Sequence, residues 1–240
     1  MKDLKRAADY VKDFEILIFD MGKTFMYGGD RFDESQDYEA SYRWLGGERL
    51  DNKTLHYLFH YIYDSFLAIT RNPLYYDNVP TIRDFLEADS KFINYDSNEK
   101  DLLERVFAHH ECGSVPGECR EILLKLSNTH RLGIISNVWC YSKYFTGRLK
   151  TNKVYDLFDI VLFSSDYGSV KPSPKLFNKA AEHFGKIPCE IVYIGDNYKR
   201  DIIGSKNAGM KSILVRNGAN DKVTGDVKPD FEIEHIRELI

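Results

Sequence analysis

Five short apolar runs, none alternating with polar residues, constrain the possible folds of this chain more than any other feature. They occupy residues 15–20, 132–136, 159–164, 191–195 and 212–215. A strand with no alternation is covered on both faces, as in a parallel sheet, whereas alternation marks a sheet wetted on one side. Each run is followed by enough chain for a helix, and residues 175–184 and 202–208 carry apolar side chains at spacings of three and four. Strand and helix in regular succession predict an α/β fold built on a doubly wound parallel sheet. A further apolar patch at 231–233 and a short helix running to Ile240 are expected to close it.

One gap breaks the rhythm. More than 110 residues separate the first run from the second, far beyond what a crossover connection needs. Residues 38–45, 53–69, 81–87 and 100–109 repeat aromatic and aliphatic side chains every three or four positions, and Asn72-Pro73 and residues 78–80 interrupt them. The pattern predicts an all-helical domain, residues 26–112, inserted into a core made of residues 1–25 and 113–240. Gly28-Gly29 and Cys112-Gly113 are the expected hinges. At 240 residues and 43% hydrophobic content the chain can bury both units. A net charge of -4 gives no purchase on a phosphate backbone, so a nucleic-acid partner is not expected. No apolar run approaches the roughly 20 residues of a membrane span, and no apolar leader stretch opens the chain. Four cysteines, Cys112, Cys119, Cys140 and Cys189, lack CxxC spacing and read as reduced thiols of a cytoplasmic protein.

In an open parallel sheet, ligands bind beyond the carboxyl ends of the strands. Asp20 follows the first run, Ser136 and Asn137 the second, Lys171 the third, and Asp196 and Asp201 the fourth. Three converging carboxylates repel one another unless a cation intervenes. Oxygen donors without nearby His or Cys favour Mg²⁺. A carboxylate can also act as a nucleophile in phosphoryl transfer, with a hydroxyl and an ammonium stabilising the transferred group.

These residues resemble the motifs of the haloacid dehalogenase-like hydrolases, in the subclass with an inserted helical cap. IFDMGKT matches the first motif, with Asp20 as nucleophile and Thr24 closing the motif. LGIISN matches the second with Ser136, VKPSPKLF the third with Lys171, and IGDNYKRD the fourth with Asp196 and Asp201. The resemblance implies a Mg²⁺-dependent phosphatase acting on a small phosphorylated molecule through an aspartyl-phosphate. Asp20, the Gly22 carbonyl, Asp196 and Asp201 are then the metal ligands, Ser136 and Lys171 hold the phosphoryl group, and Thr24 and Asn137 contact the substrate.

One position departs from the pattern. The family's acid/base Asp, two residues after the nucleophile, is Gly22 here. Three readings follow: a phosphatase using good leaving groups or an acid borrowed from the cap, a 2-haloacid dehalogenase that needs no acid, or a non-catalytic phosphate-binding module. The retained fourth motif favours the phosphatase, because displacing a halide from carbon has no use for Mg²⁺. His56 and His60, at i, i+4 spacing, have no evident third ligand and read as packing. Asn197 is expected to orient its acidic neighbours. Lys23, Lys199 and Arg200 are expected in solvent, and Arg43 and Arg71 on the surface.

Overall fold

The computed structural model describes residues 6–218 and 225–240. Helix α1 (Ala7–Val11) precedes strand β1 (Ile16–Phe19). Between β1 and β2 (Arg131–Ser136) lie α2 (Tyr38–Trp44), α3 (Asn52–Arg71), α4 (Ile82–Ala88), α5 (Ser97–Glu111) and α6 (Gly117–Ser127). After β2 come α7 (Ser142–Thr151), β3 (Ile160–Phe163), α8 (Ser164–Tyr167), α9 (Pro174–Phe184), β4 (Ile191–Gly195), α10 (Gly204–Asn207), β5 (Lys211–Val215) and β6 (Phe231–Ile233). The six strands form one parallel sheet in the order β3-β2-β1-β4-β5-β6.

The uninterrupted apolar runs are explained by burial on both faces. Within β1, Leu17 and Phe19 join the apolar cluster that continues into the helical segment, while Ile16 and Ile18 face Leu176, Phe177 and Phe184 on the other side. All four residues are fully buried. Helices α1, α6 and α7 have no counterpart among the helices expected from periodicity. Only Phe145 and Leu149 of α7 are buried, too few for a legible stripe. The helix expected at 202–208 begins earlier, as a widened turn at Tyr198–Ile203 that runs into α10.

The segment between β1 and α6 is helical, and its helices begin at side-chain caps. Asp37, Asp51 and Asp96 each accept a backbone N–H of the first turn at 2.8–2.9 Å, and Thr81 forms a reciprocal box with Asp84. Its two connections to the sheet lie against each other. Tyr27 and Ser114 exchange backbone hydrogen bonds at 2.9 and 2.8 Å, and Asp30 and Arg31 donate to the carbonyls of Glu111 and His110. The approach is so close that a Cβ on Gly29 would lie 2.4 Å from the Glu111 oxygen. A second attachment runs through Trp139, beyond β2, whose ring packs on Tyr63 and Phe66 and whose carbonyl accepts from Ile82. Among the described residues no helix is long and apolar enough to cross a membrane, and the four cysteines are free.

Candidate active site

Asp20 is the first residue beyond β1, which lies between β2 and β4, where the strand order reverses. Its N–H continues the ladder to the Ile194 carbonyl at 2.8 Å, which fixes the backbone from which the carboxylate projects. Its Oδ1 accepts from the Lys171 ammonium at 2.6 Å and the Ser136 hydroxyl at 3.2 Å. Its Oδ2 has no hydrogen-bond partner among the described residues.

Lys171, 2% exposed, is the hub. Its ammonium also donates to Asp201 Oδ1 at 2.7 Å and approaches the Tyr193 hydroxyl at 2.8 Å and the Ile135 carbonyl at 3.1 Å. A buried cation needs this many acceptors to replace its hydration. Asn137 clamps the same residue from outside: its side-chain oxygen accepts the Lys171 N–H at 2.8 Å, and its amide donates to the Lys171 carbonyl at 3.2 Å. Asn137 thus positions Lys171, and it also lines the cleft. Thr24 departs from expectation. It is fully buried and does not line the cleft.

The carboxyl end of β4 supplies the remaining acids. The widened turn after it brings Asp201 back beneath Gly195, where a Cβ would stand 2.5 Å from the Asp201 carboxyl carbon, so only glycine fits. Asn197 orients this acid through its backbone N–H, 2.9 Å from Asp201 Oδ2. Asp196 is half-buried, and its Oδ1 is buried without a partner. One oxygen each of Asp20, Asp196 and Asp201 lies within 4.8 Å of the others. Burial pushes the Asp20 carboxyl above its usual range, and burial reinforced by Asp20 and Asp201 pushes Asp196 up to about 8. Three carboxylates, one ammonium and an orphaned buried oxygen fit a hard divalent cation held by oxygen donors.

These residues open onto a cleft of about 300 Å³ between the sheet and the helical segment. Gly22 lines it with an ordinary negative-side φ, and a Cβ there would meet nothing within 4 Å. Tyr63 and Tyr76 enter from the helical side. Lys23, Arg71, Lys199 and Arg200 are exposed, as expected, and they also line the cleft, with no ion-pair partner among the described residues. Arg43 does lie away from it, bound to Glu39 and the Gly47 and Leu50 carbonyls. His56 and His60 do meet a third group, since the exposed Glu34 places one oxygen 3.8 Å from His56 Nδ1 and the other 3.4 Å from His60 Nδ1.

Three participants were not read from the sequence: Tyr193, Asp30 and Glu111. Tyr193 is hidden inside an apolar strand run, and its hydroxyl is visible only once Lys171 faces it. Asp30 and Glu111 sit on the two connections, where no local spacing marks them. Glu111 is buried and accepts the N–H groups of Trp139 and Cys140 at 2.7 and 3.2 Å. Burial outweighs those bonds and pushes its carboxyl from 4.5 to about 8. Between those values the folded chain keeps a proton that the unfolded chain has released, so stability falls as pH rises. Urea melts should show wild-type stability declining relative to Glu111→Gln from about pH 5 to about pH 8, by at most about 1.4 kcal/mol per pH unit. Parallel curves would show that Glu111 is ionised throughout.

A model of the haloacid dehalogenase-like hydrolases matches residues 76–215. The chain is 39% identical over 90 residues to a glyceraldehyde 3-phosphate phosphatase of Methanopyrus kandleri, a stretch covering 36% of this chain and 39% of that one. It is 26% identical over 189 residues to the protein of the same name from Pyrococcus furiosus, 76% of each chain. Its fold is similar to a phosphatase structure from Thermococcus onnurineus (TM-score 0.62, 25% identity, 94% of this chain and 95% of that one). It is also similar to a 2-haloacid dehalogenase structure from Pseudomonas syringae (TM-score 0.66, 22% identity, 94% and 96%).

Proposed function

Because the chain belongs to the haloacid dehalogenase-like hydrolases, we propose that it is a Mg²⁺-dependent phosphohydrolase of a small organic phosphate, working through an aspartyl-phosphate on Asp20. The observation that carries this reading is the Asp20–Asp196–Asp201 set, with Asp20 and Asp201 buried and Asp196 half-buried with an orphaned oxygen. Displacing a halide from carbon has no use for such a set, whereas a phosphoryl group needs its charge neutralised. The phosphatase names of the relatives support the substrate class. The dehalogenase likeness, at 22% identity, speaks for the fold alone.

Lys171 and Ser136 hold Asp20 Oδ1, which leaves Oδ2 free to attack phosphorus. As that carboxylate loses charge to the new bond, its hold on Ser136 weakens, and the hydroxyl can turn to a phosphoryl oxygen. Lys171 stays between Asp20 and Asp201 and pulls the Asp20 carboxyl back toward its ionised form next to an anionic substrate. Asp20, Asp196, Asp201 and the Gly22 carbonyl would hold Mg²⁺, which when bound neutralises phosphoryl charge. Residues 26–112 act as a cap, with Tyr63 and Tyr76 contacting the organic part of the substrate and excluding water.

The test is phosphate release from glyceraldehyde 3-phosphate, phosphoserine, pyrophosphate and p-nitrophenyl phosphate, beside halide release from 2-chloropropionate, each with Mg²⁺ or EDTA. Phosphate release abolished by EDTA is the expected result. Metal-independent halide release, or phosphate-ester binding without turnover, would overturn the proposal.

A further inference from the structure

An alkyl phosphate leaves as an alkoxide, a poor leaving group unless it is protonated as the bond breaks. Gly22 has no side chain to do this. Two carboxyl groups line the cleft besides the Asp20 set, Asp30 and Glu111. Both oxygens of Glu111 are engaged by the N–H groups of Trp139 and Cys140, so it anchors the loop beyond β2. Asp30 is different. Its carboxyl has no hydrogen-bond partner among the described residues, and it borders the cleft and the smaller adjoining pocket, both also lined by Gly22 and Ser136.

The backbone holds Asp30 there. Its φ of +53° lies in the left-handed region, and its N–H donates to the Glu111 carbonyl at 3.2 Å. A non-glycine residue in that region, fixed by the paired connections, is a conformation maintained by its surroundings. We propose that Asp30 is the acid and base that Gly22 cannot be. This inference rests on the phosphohydrolase reading. In the first step Asp20 Oδ2 bonds to phosphorus, the phosphorus–alkoxide bond breaks, and the Asp30 proton passes to the departing oxygen, giving the alcohol. In the second, water bonds to phosphorus and gives a proton to the Asp30 carboxylate, and the Asp20–phosphorus bond breaks to release phosphate. Asp30 ends as it began, protonated.

The groups around Asp30 suit the task. Asp30 is exposed where it borders the cleft. Partial desolvation raises its carboxyl above the usual range and the nearby Asp20 adds to this, while Arg200 and Lys23 pull it down. Glu111 and Tyr63 also feel its charge.

The test compares wild type, Asp30→Asn and the double variant Gly22→Asp/Asp30→Asn on glyceraldehyde 3-phosphate and p-nitrophenyl phosphate with Mg²⁺. Asn accepts the left-handed backbone, so Asp30→Asn should fold, which circular dichroism checks. In single turnovers its release of the alcohol from the alkyl ester should slow about 10²-fold or more, with release of the phenol from the aryl ester, whose leaving group needs no proton, changed only a few-fold. Hydrolysis of the phosphoryl-enzyme, common to both esters, should slow on both. The wild-type alkyl rate should fall on the alkaline side, and Asp30→Asn should lose that limb. The open space beside Gly22 admits an Asp side chain, so the double variant should recover most of the alkyl rate. Equal losses on both esters in that release step, no loss on either, or a wild type active only on the aryl ester would overturn the assignment while leaving the phosphohydrolase reading intact. A wild type inactive on every phosphate would overturn both.

Discussion

Asp20→Asn should reduce phosphate release from alkyl and aryl esters alike by about 10⁴-fold or more, as expected when a covalent nucleophile is removed. The fold should survive. The amide has nearly the same shape, its oxygen can still accept from Lys171 and Ser136, and Lys171 keeps Asp201 as a counter-charge. Steady-state rates with a thermal melt decide the matter. A variant that melts like wild type and still turns over would remove Asp20 from the chemistry.

Lys171→Met should damage both activity and stability. Lys171 is almost completely buried between Asp20 and Asp201. Removing one member of such a set strands the others, a loss of about 3–5 kcal/mol, or roughly 10 °C in melting temperature for a domain of this size. Without the ammonium, Asp20 holds its proton to still higher pH in the folded state than in the unfolded chain. The variant should therefore regain stability on acidification, as protonation removes the unpaired charge. Turnover should fall at least about 10³-fold, because Asp20 is then neither oriented nor pulled toward its ionised form. A melt within a degree or two of wild type would mean that Lys171 is not the electrostatic hub of the site.

The two variants separate roles that a contact description merges. Asp20 is proposed to form a bond, and its loss should appear in rate alone. Lys171 holds two carboxylates, so its loss should appear in rate, in stability and in the pH dependence of stability. Their ordering follows from burial and partner count.

What the sequence by itself determined is the sheet and the residues at its carboxyl edge. A strand buried on both faces must be apolar throughout, so 15–20, 132–136 and 191–195 were legible as runs, and the polar residues that end them, Asp20, Ser136 and Asp196, had to project at one edge. The helices from α2 to α5 were legible because each carries a stripe or a cap. Helix α7 was not, having only two buried residues.

Only the tertiary structure decided the Asn137 clamp on Lys171, the burial of Thr24 away from the cleft, the buried hydroxyl of Tyr193, and the cations lining the cleft. It also brought Asp30 and Glu111 to the site. These two are more than 80 positions apart in sequence, and they meet because the two connections of the helical segment pair backbone to backbone. Local spacing records which face of an element is buried. It carries no signal for a charged side chain delivered by the crossing of two distant loops, since that placement depends on hydrogen bonds between segments that periodicity does not encode.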